Sequence, residues 1–184
     1  MSDIRVPFFD THIDQDDINA VVDTLRSQWI SIGPVNEKLE NIFKRKIGSR
    51  FALTTSSCTS ALHLALLALG IAPGDEVIVP SLTFVATVSA VTHVGAIPVF
   101  ADIESPFELT LSPEYVEKSI TIKTKAVIIM HYGGFSGNIK AIQKLCKEKK
   151  IYLIEDAAHA IDSLVGDQHL GTFGDVGCFS FFSN

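Results

Sequence analysis

Short runs rich in β-branched and apolar residues, at Phe51–Thr54, Val77–Val79, Ile97–Ala101, Ala126–Met130 and Ile151–Ile154, alternate along this chain with stretches of helical periodicity. Most of these runs are apolar throughout instead of alternating, which is the pattern of strands covered on both faces. A strand–helix–strand repeat needs crossover connections, and these are right-handed. The fold class that follows is α/β, a three-layer sandwich with a mainly parallel central sheet. In such a sheet ligands bind beyond the carboxyl ends of the strands, so the residues just after each strand carry the functional information.

Before the alternating region, Ile18, Val21, Val22, Leu25 and Trp29 recur at helical spacing from Asp14 onward, with Asp14 or Asp16 available to cap the first turn. Pro34 opens a second helical pattern through Val35, Leu39, Ile42, Phe43 and Ile47, with Gly48 at its end and the loop Ser31-Ile32-Gly33 before it. Further on, Gly70 and Gly95 mark helix C-termini, and Ser112-Pro113 and Asn138 mark N-termini. No linker and no internal repeat interrupts the pattern.

The 184 residues suffice for one good-sized domain, and with 47% hydrophobic and 20% charged residues disorder is not expected. A net charge of -6 supplies no basic field for nucleic acid or an anionic membrane surface. The apolar run Ala61–Leu69 is too short to cross a bilayer and contains His63. Met1–Pro7 mixes charges early and does not read as a secretion signal, so a cytoplasmic location is expected. Cys58, Cys146 and Cys178 are widely spaced and odd in number, which suits reduced thiols better than a disulfide framework or a zinc site.

Three post-strand segments stand out. Thr55-Ser56-Ser57-Cys58-Thr59-Ser60 runs directly into the helical Ala61–Leu66, so free N–H groups, hydroxyls and a helix dipole converge where a phosphate can bind. The same residues equally suit an elaborate N-cap. Pro80–Thr87 places Phe84 at the sheet mouth, where it can stack on a planar ring, although taken alone it reads as core. Glu155-Asp156-Ala157-Ala158-His159-Ala160 ends a buried strand with an acidic pair beside small residues. A carboxylate there suits a cationic ring nitrogen, His159 one helical turn on can address the same ligand, and a capping role is the alternative. Asp156, His159, Asp162 and His169 fit no defensible metal-ligand pattern, so no metal is expected. Neither a GxxxxGK[ST] loop, nor GxGxxG after the first strand, nor a GxSxG elbow is present, which argues against nucleotide hydrolysis, dinucleotide binding and α/β-hydrolase chemistry.

In order along the chain, the phrases Trp29–Pro34, Ser57–Leu66, Pro73–Pro80, Thr83–Thr87, Pro98–Asp102, Thr124–Ile128, Glu155–Ala160 and Phe179–Phe182 resemble those of the DegT/StrS family of sugar aminotransferases, which depend on pyridoxal 5′-phosphate (PLP) and share the aspartate-aminotransferase fold, fold type I. The likeness implies that Cys58, Thr59 and Ser180 hold the cofactor phosphate, that Phe84 stacks on the pyridine ring, that Asp156 pairs with its nitrogen and that His159 lies against the ring; the strand-turn-helix at Thr54–Leu62 adds Ser60 to the expected phosphate turn. Asp156 would keep that nitrogen protonated so that the ring accepts electrons. Residues 1–184 would be the N-terminal part of the large PLP-binding domain, with the C-terminal domain outside this chain and a homodimer as the working form.

Departures from the family are informative. Cys58 stands where the family usually has glycine, so a side chain must fit where the backbone approaches phosphate. His131–Asn138 differs from the commoner wording of the family's His-x-x-Gly turn. The family's Schiff-base lysine falls shortly after Phe179–Asn184, and is expected at position 185. The lysines of helical patterns, and Lys123 and Lys125 ahead of a strand, offer no substitute. The activity implied is amino transfer from an amino acid, glutamate by resemblance, to the keto group of a nucleotide-linked sugar. This chain alone would be inactive. A dehydratase of the same family, with histidine for the lysine, and a non-catalytic binding or regulatory protein on the same fold are the alternatives.

Overall fold

The computed structural model describes residues 12–182. The readings made on Met1–Pro7, on Ser183-Asn184 and on the lysine beyond them lie outside the described residues. The chain divides into two compact units, one of residues up to Lys46 with Arg50–Thr54 and Phe181 onward, the other of Ile47–Ser49 and Thr55–Ser180.

In the first unit, helix α1 (Gln15–Arg26) starts with a capping box. The Asp14 carboxylate accepts from the N–H groups of Asp16 and Asp17, and Asp17 accepts from the Asp14 N–H. The expected apolar series continues to Trp29, but the helix stops at Arg26 because Ser27 caps it and Gln28 turns with φ 60°. Trp29 instead folds over the following loop, its indole Nε1–H donating to the Ile32 carbonyl at 3.0 Å. A Cβ on Gly33 would collide with that indole, which explains the glycine. Helix α2 (Pro34–Ile47) follows with the expected bounds.

Phe51–Thr54 does not form the expected strand. The N–H and hydroxyl of Thr54 donate to Glu40 Oε1 at 2.8 and 2.9 Å, so a side chain of α2 takes the hydrogen bonds that a ladder would have taken. The same donors, backbone N–H foremost, hold the Glu40 carboxyl below its ordinary range.

The second unit contains α3 (Cys58–Ala68), β1 (Glu76–Pro80), α4 (Val85–His93) and β2 (Ile97–Ala101). An antiparallel pair, β3 (Ile103–Ser105) and β4 (Glu108–Leu111), leads to α5 (Pro113–Ser119), β5 (Thr124–Met130), α6 (Ile139–Lys149) and β6 (Tyr152–Ala157). A second small pair, β7 (Leu164–Val165) and β8 (Gln168–His169), precedes β9 (Val176–Phe179). The central sheet has the order β2-β1-β5-β6-β9, and every pairing in it is parallel, as the apolar runs require. Neither small antiparallel pair nor β9 carries a long apolar run, and periodicity alone does not find them.

The two-residue period of the strands divides the core. Val77, Val79, Ala126, Ile128, Ile154 and Cys178 face α3 and α4, where they meet Leu62, Leu66, Ala90 and Val91. Ile78, Val127, Ile129 and Leu153 face the other way, toward Val116 of α5 and Ile139, Ile142 and Leu145 of α6. Gly70 and Gly95, with φ 75°, lie just past the ends of α3 and α4, where the left-handed conformation favours glycine. Among the described residues no helix is long and apolar enough to cross a membrane.

Candidate functional site

Parity along β6 separates the acidic pair. Asp156 follows Ile154 in phase and points to the α3/α4 face, while Glu155 follows Leu153 and points to the other. Both are buried, with relative exposures of 2% and 0%. Neither is a helix cap, because both lie within the strand, and the segment after Ala157 is a turn and not the expected helix.

Asp156 Oδ2 accepts from the Thr87 hydroxyl at 2.7 Å, and Oδ1 accepts from the Ala158 N–H at a long 3.3 Å. Thr87 is itself in contact with the Thr83 hydroxyl at 2.7 Å. Burial pushes the Asp156 carboxyl above its ordinary range, and the Thr87 hydroxyl, the Ala158 N–H, His159 and His131 offset this only in part. A buried carboxylate with one well-placed donor and one oxygen thinly served is a group prepared for a cationic partner.

Glu155 has no such vacancy. It accepts from the N–H groups of Gly171 at 2.7 Å, Phe173 at 2.6 Å and Gly174 at 2.6 Å, and from His131 Nε2 at 2.8 Å. It is therefore an anchor. It ties the segment that leads into β9 to the neighbouring strand β6, and added Cβ atoms on Gly171 and Gly177 would collide with Phe179 and with the Gly171 backbone.

Around Asp156 the fold brings together residues distant in sequence. Helix α3 is capped by Ser57, whose hydroxyl accepts from the Ser60 N–H at 3.1 Å. The capping reading of this segment is thus correct for Ser57 and Ser60. It leaves the N–H groups of Cys58 and Thr59 without a hydrogen-bond partner among the described residues. The half-buried Cys58 side chain packs on the α3/α4 core cluster. Burial, with a smaller contribution from Asp156, pushes its thiol up to about 12, so it stays neutral and the carboxylate is a near electrostatic neighbour.

Phe84 caps α4 after β1 and is 64% exposed, so the core reading of this residue is wrong and its ring is presented at the sheet edge. His159 is also exposed, in the turn after β6. Its Nδ1 accepts from the Gly133 N–H at 3.3 Å, which places the proton of the neutral ring on Nε2. Tyr132 meets it edge to face at 5.9 Å. Ser180 directly follows β9, and because Cys178 pairs with Asp156, it is placed at the same carboxyl edge. Sequence reasoning missed Thr87 as a partner of Asp156. The signal was available, since Thr83 and Thr87 stand one helical turn apart at the start of α4.

This set fits the PLP that the sequence resemblance implies: two unpartnered N–H groups at a helix start for an anion, an exposed aromatic ring, and a buried carboxylate for a ring nitrogen. The lysines in and after the helices, with Lys123 and Lys125, are exposed, apart from the half-buried Lys44 of α2.

Residues 11–184 match the model of the DegT/DnrJ/EryC1/StrS aminotransferase family. The chain is 43% identical to GDP-perosamine synthase of Vibrio cholerae over 97% of its own length and 49% of the relative's. It is 41% identical to the spore coat polysaccharide biosynthesis protein SpsC of Bacillus subtilis, over 93% of this chain and 44% of that one. The structure of Spr1654 from Streptococcus pneumoniae in its PLP form, a candidate sugar aminotransferase, superimposes with a TM-score of 0.92 at 34% identity, over 97% of this chain and 49% of that one. The chain thus spans about half the length of the relatives it matches.

Proposed function

We propose, from the premise that the chain belongs to the DegT/DnrJ/EryC1/StrS aminotransferase family, that the whole protein is a PLP-dependent nucleotide-sugar aminotransferase. It takes an amino group from an amino acid, glutamate first, and delivers it to a keto group of a nucleotide-linked sugar used in surface polysaccharide or glycoconjugate synthesis. The names of the relatives from Vibrio cholerae and Bacillus subtilis support that direction. A homodimer is the expected assembly.

The observation that carries this reading is Asp156, a buried carboxylate near the carboxyl end of β6 with one oxygen held by Thr87 at 2.7 Å and the other met only by the Ala158 N–H at 3.3 Å. When bound, PLP supplies an electron sink for the carbon that carries the amino group. The protein's part is to hold and polarise it. Asp156 keeps a proton on the ring nitrogen, and Phe84 covers one ring face. The N–H groups of Cys58 and Thr59 take the phosphate with Ser60 and Ser180. His159 offers its Nε2–H beside the ring. The lysine that handles the substrate proton is expected at position 185.

The test uses full-length protein loaded with PLP. Glutamate alone should convert the bound cofactor to its pyridoxamine form, and a keto-sugar nucleotide should restore it. A cofactor spectrum indifferent to every amino acid tried would overturn the proposal. Borohydride reduction followed by peptide mass spectrometry should place the phosphopyridoxyl group on residue 185, and a histidine there would convert the reading to a dehydratase.

A further inference from the structure

The Asp156 carboxylate is served by a short chain of hydroxyls whose hydrogen-bond direction can be worked out from proton counting. Thr87 Oγ1 lies 2.7 Å from Asp156 Oδ2 and 2.7 Å from Thr83 Oγ1. A hydroxyl has one proton to donate, and an ionised carboxylate only accepts. With Asp156 charged, Thr87 must donate to it and must therefore accept from Thr83. Thr83 then gives its one proton to Thr87, and its 3.1 Å contact with the Met130 thioether has no proton left to use. A protonated Asp156 could reverse the order, with Thr87 donating to Thr83 and Thr83 to the sulfur. The pair is thus polarised by the charge of the carboxylate.

We propose that Thr83 and Thr87 form a two-hydroxyl relay that fixes Asp156 Oδ2 and leaves Oδ1 as the oxygen presented to the ligand, which makes Thr87 a positioning residue of this site. The proposal rests on the reading of Asp156 as the partner of the cofactor ring nitrogen. Its structural basis is independent of any ligand. Thr87 is fully buried in α4, where a hydroxyl without a partner would be costly, and the nearer of the two Asp156 contacts is the one it makes.

The groups facing Asp156 can be named from each element around it. They are Cys58 from α3, Cys178 from β9, His131 at the end of β5 and His159 after β6, with Thr87 from α4. Burial holds both thiols neutral by raising them, so neither adds a second negative charge beside the carboxylate. Thr87 is the first of the groups that offset burial of the carboxylate. Its loss therefore moves the carboxyl further upward, and a site that needs the charged carboxylate begins to fail at a higher pH on acidification.

The experiment compares full-length wild-type protein with Thr87→Val, Thr87→Ser, Thr83→Val and Asp156→Asn, reading PLP dissociation constants across pH and apo-protein melting. Thr87→Val keeps the side-chain shape and removes the donor. It should weaken PLP binding about tenfold at neutral pH, as the loss of one charge-assisted hydrogen bond would, and shift the acid limb of binding to higher pH. Thr87→Ser should restore both, and Thr83→Val should move both in the same direction by less. If Thr87→Val binds PLP with wild-type affinity and wild-type pH profile while Asp156→Asn does not, the relay is refuted and the site reading stands. If Asp156→Asn also behaves as wild type, the site reading itself fails. Should Thr87→Val not fold, Thr83→Val carries the same test, and an unshifted acid limb there refutes the relay.

Discussion

Glu155 and Asp156 are adjacent carboxylates on one strand, both buried, and they are served in opposite ways. Glu155, on the α5/α6 face, meets four donors at 2.6–2.8 Å, three of them backbone N–H groups of a single segment. Asp156, on the α3/α4 face, meets one hydroxyl at 2.7 Å and one N–H at 3.3 Å. A saturated buried carboxylate holds structure together, whereas an under-served one is costly to the empty protein and is repaid only by a ligand. The two-residue period of a strand is what lets one dipeptide do both.

The sharpest way to break this contrast is at the saturated member. Glu155→Ala would leave three backbone N–H groups, two of them buried, and His131 Nε2 without an acceptor, and should cost about 3–5 kcal/mol in chemical denaturation of the full-length protein. Near wild-type stability would show that the segment before β9 does not depend on this anchor. Asp156→Asn should do the reverse. The folded-state carboxyl of Asp156 is raised, so its favourable contribution is complete below the ordinary carboxyl range and is lost as pH rises through the folded value. At neutral pH the apo Asn variant should therefore melt no lower than wild type, while turnover falls about 100-fold, because a neutral partner does not hold a ring nitrogen protonated. An apo protein clearly destabilised by Asp156→Asn would make Asp156 a second structural anchor.

Smaller effects test the edges of the site. Thr59→Pro, in the first turn of α3 where no intrahelical N–H bond is lost, would remove one of its two unpartnered N–H groups and should weaken PLP binding about tenfold. Cys58 gives the smallest signal. With its thiol held up to about 12, alkylation near neutral pH should be slow in the folded protein and speed up on unfolding.

Much of the fold is legible in the residues, and the limits have physical causes. The bounds of α2 follow from Pro34 and Gly48, and the buried strands β1, β5 and β6 from apolar runs that only a doubly covered sheet can use. Phe51–Thr54 misleads because β propensity says nothing of the Glu40 side chain that takes its hydrogen bonds. Strand β9 escapes because Gly177 and Cys178 carry little apolar signal and its place is set by the Glu155 anchor, a contact between residues far apart in sequence. In the candidate site, the place of Asp156 near the end of a buried strand is legible in the sequence. Its separation from Glu155 and its partnership with Thr87 needed the sheet parity and the packing of α4.

On the proposed function Asp156, and not its saturated neighbour, addresses the cofactor. A crystal structure of the full-length protein with PLP measures this directly. Asp156 Oδ1 is expected within about 3.2 Å of the pyridine nitrogen, with Thr87 still bonded to Oδ2 and Glu155 unchanged on the opposite face. A ring nitrogen facing another side chain or solvent, with Asp156 still bonded only to Thr87 and Ala158, would contradict it.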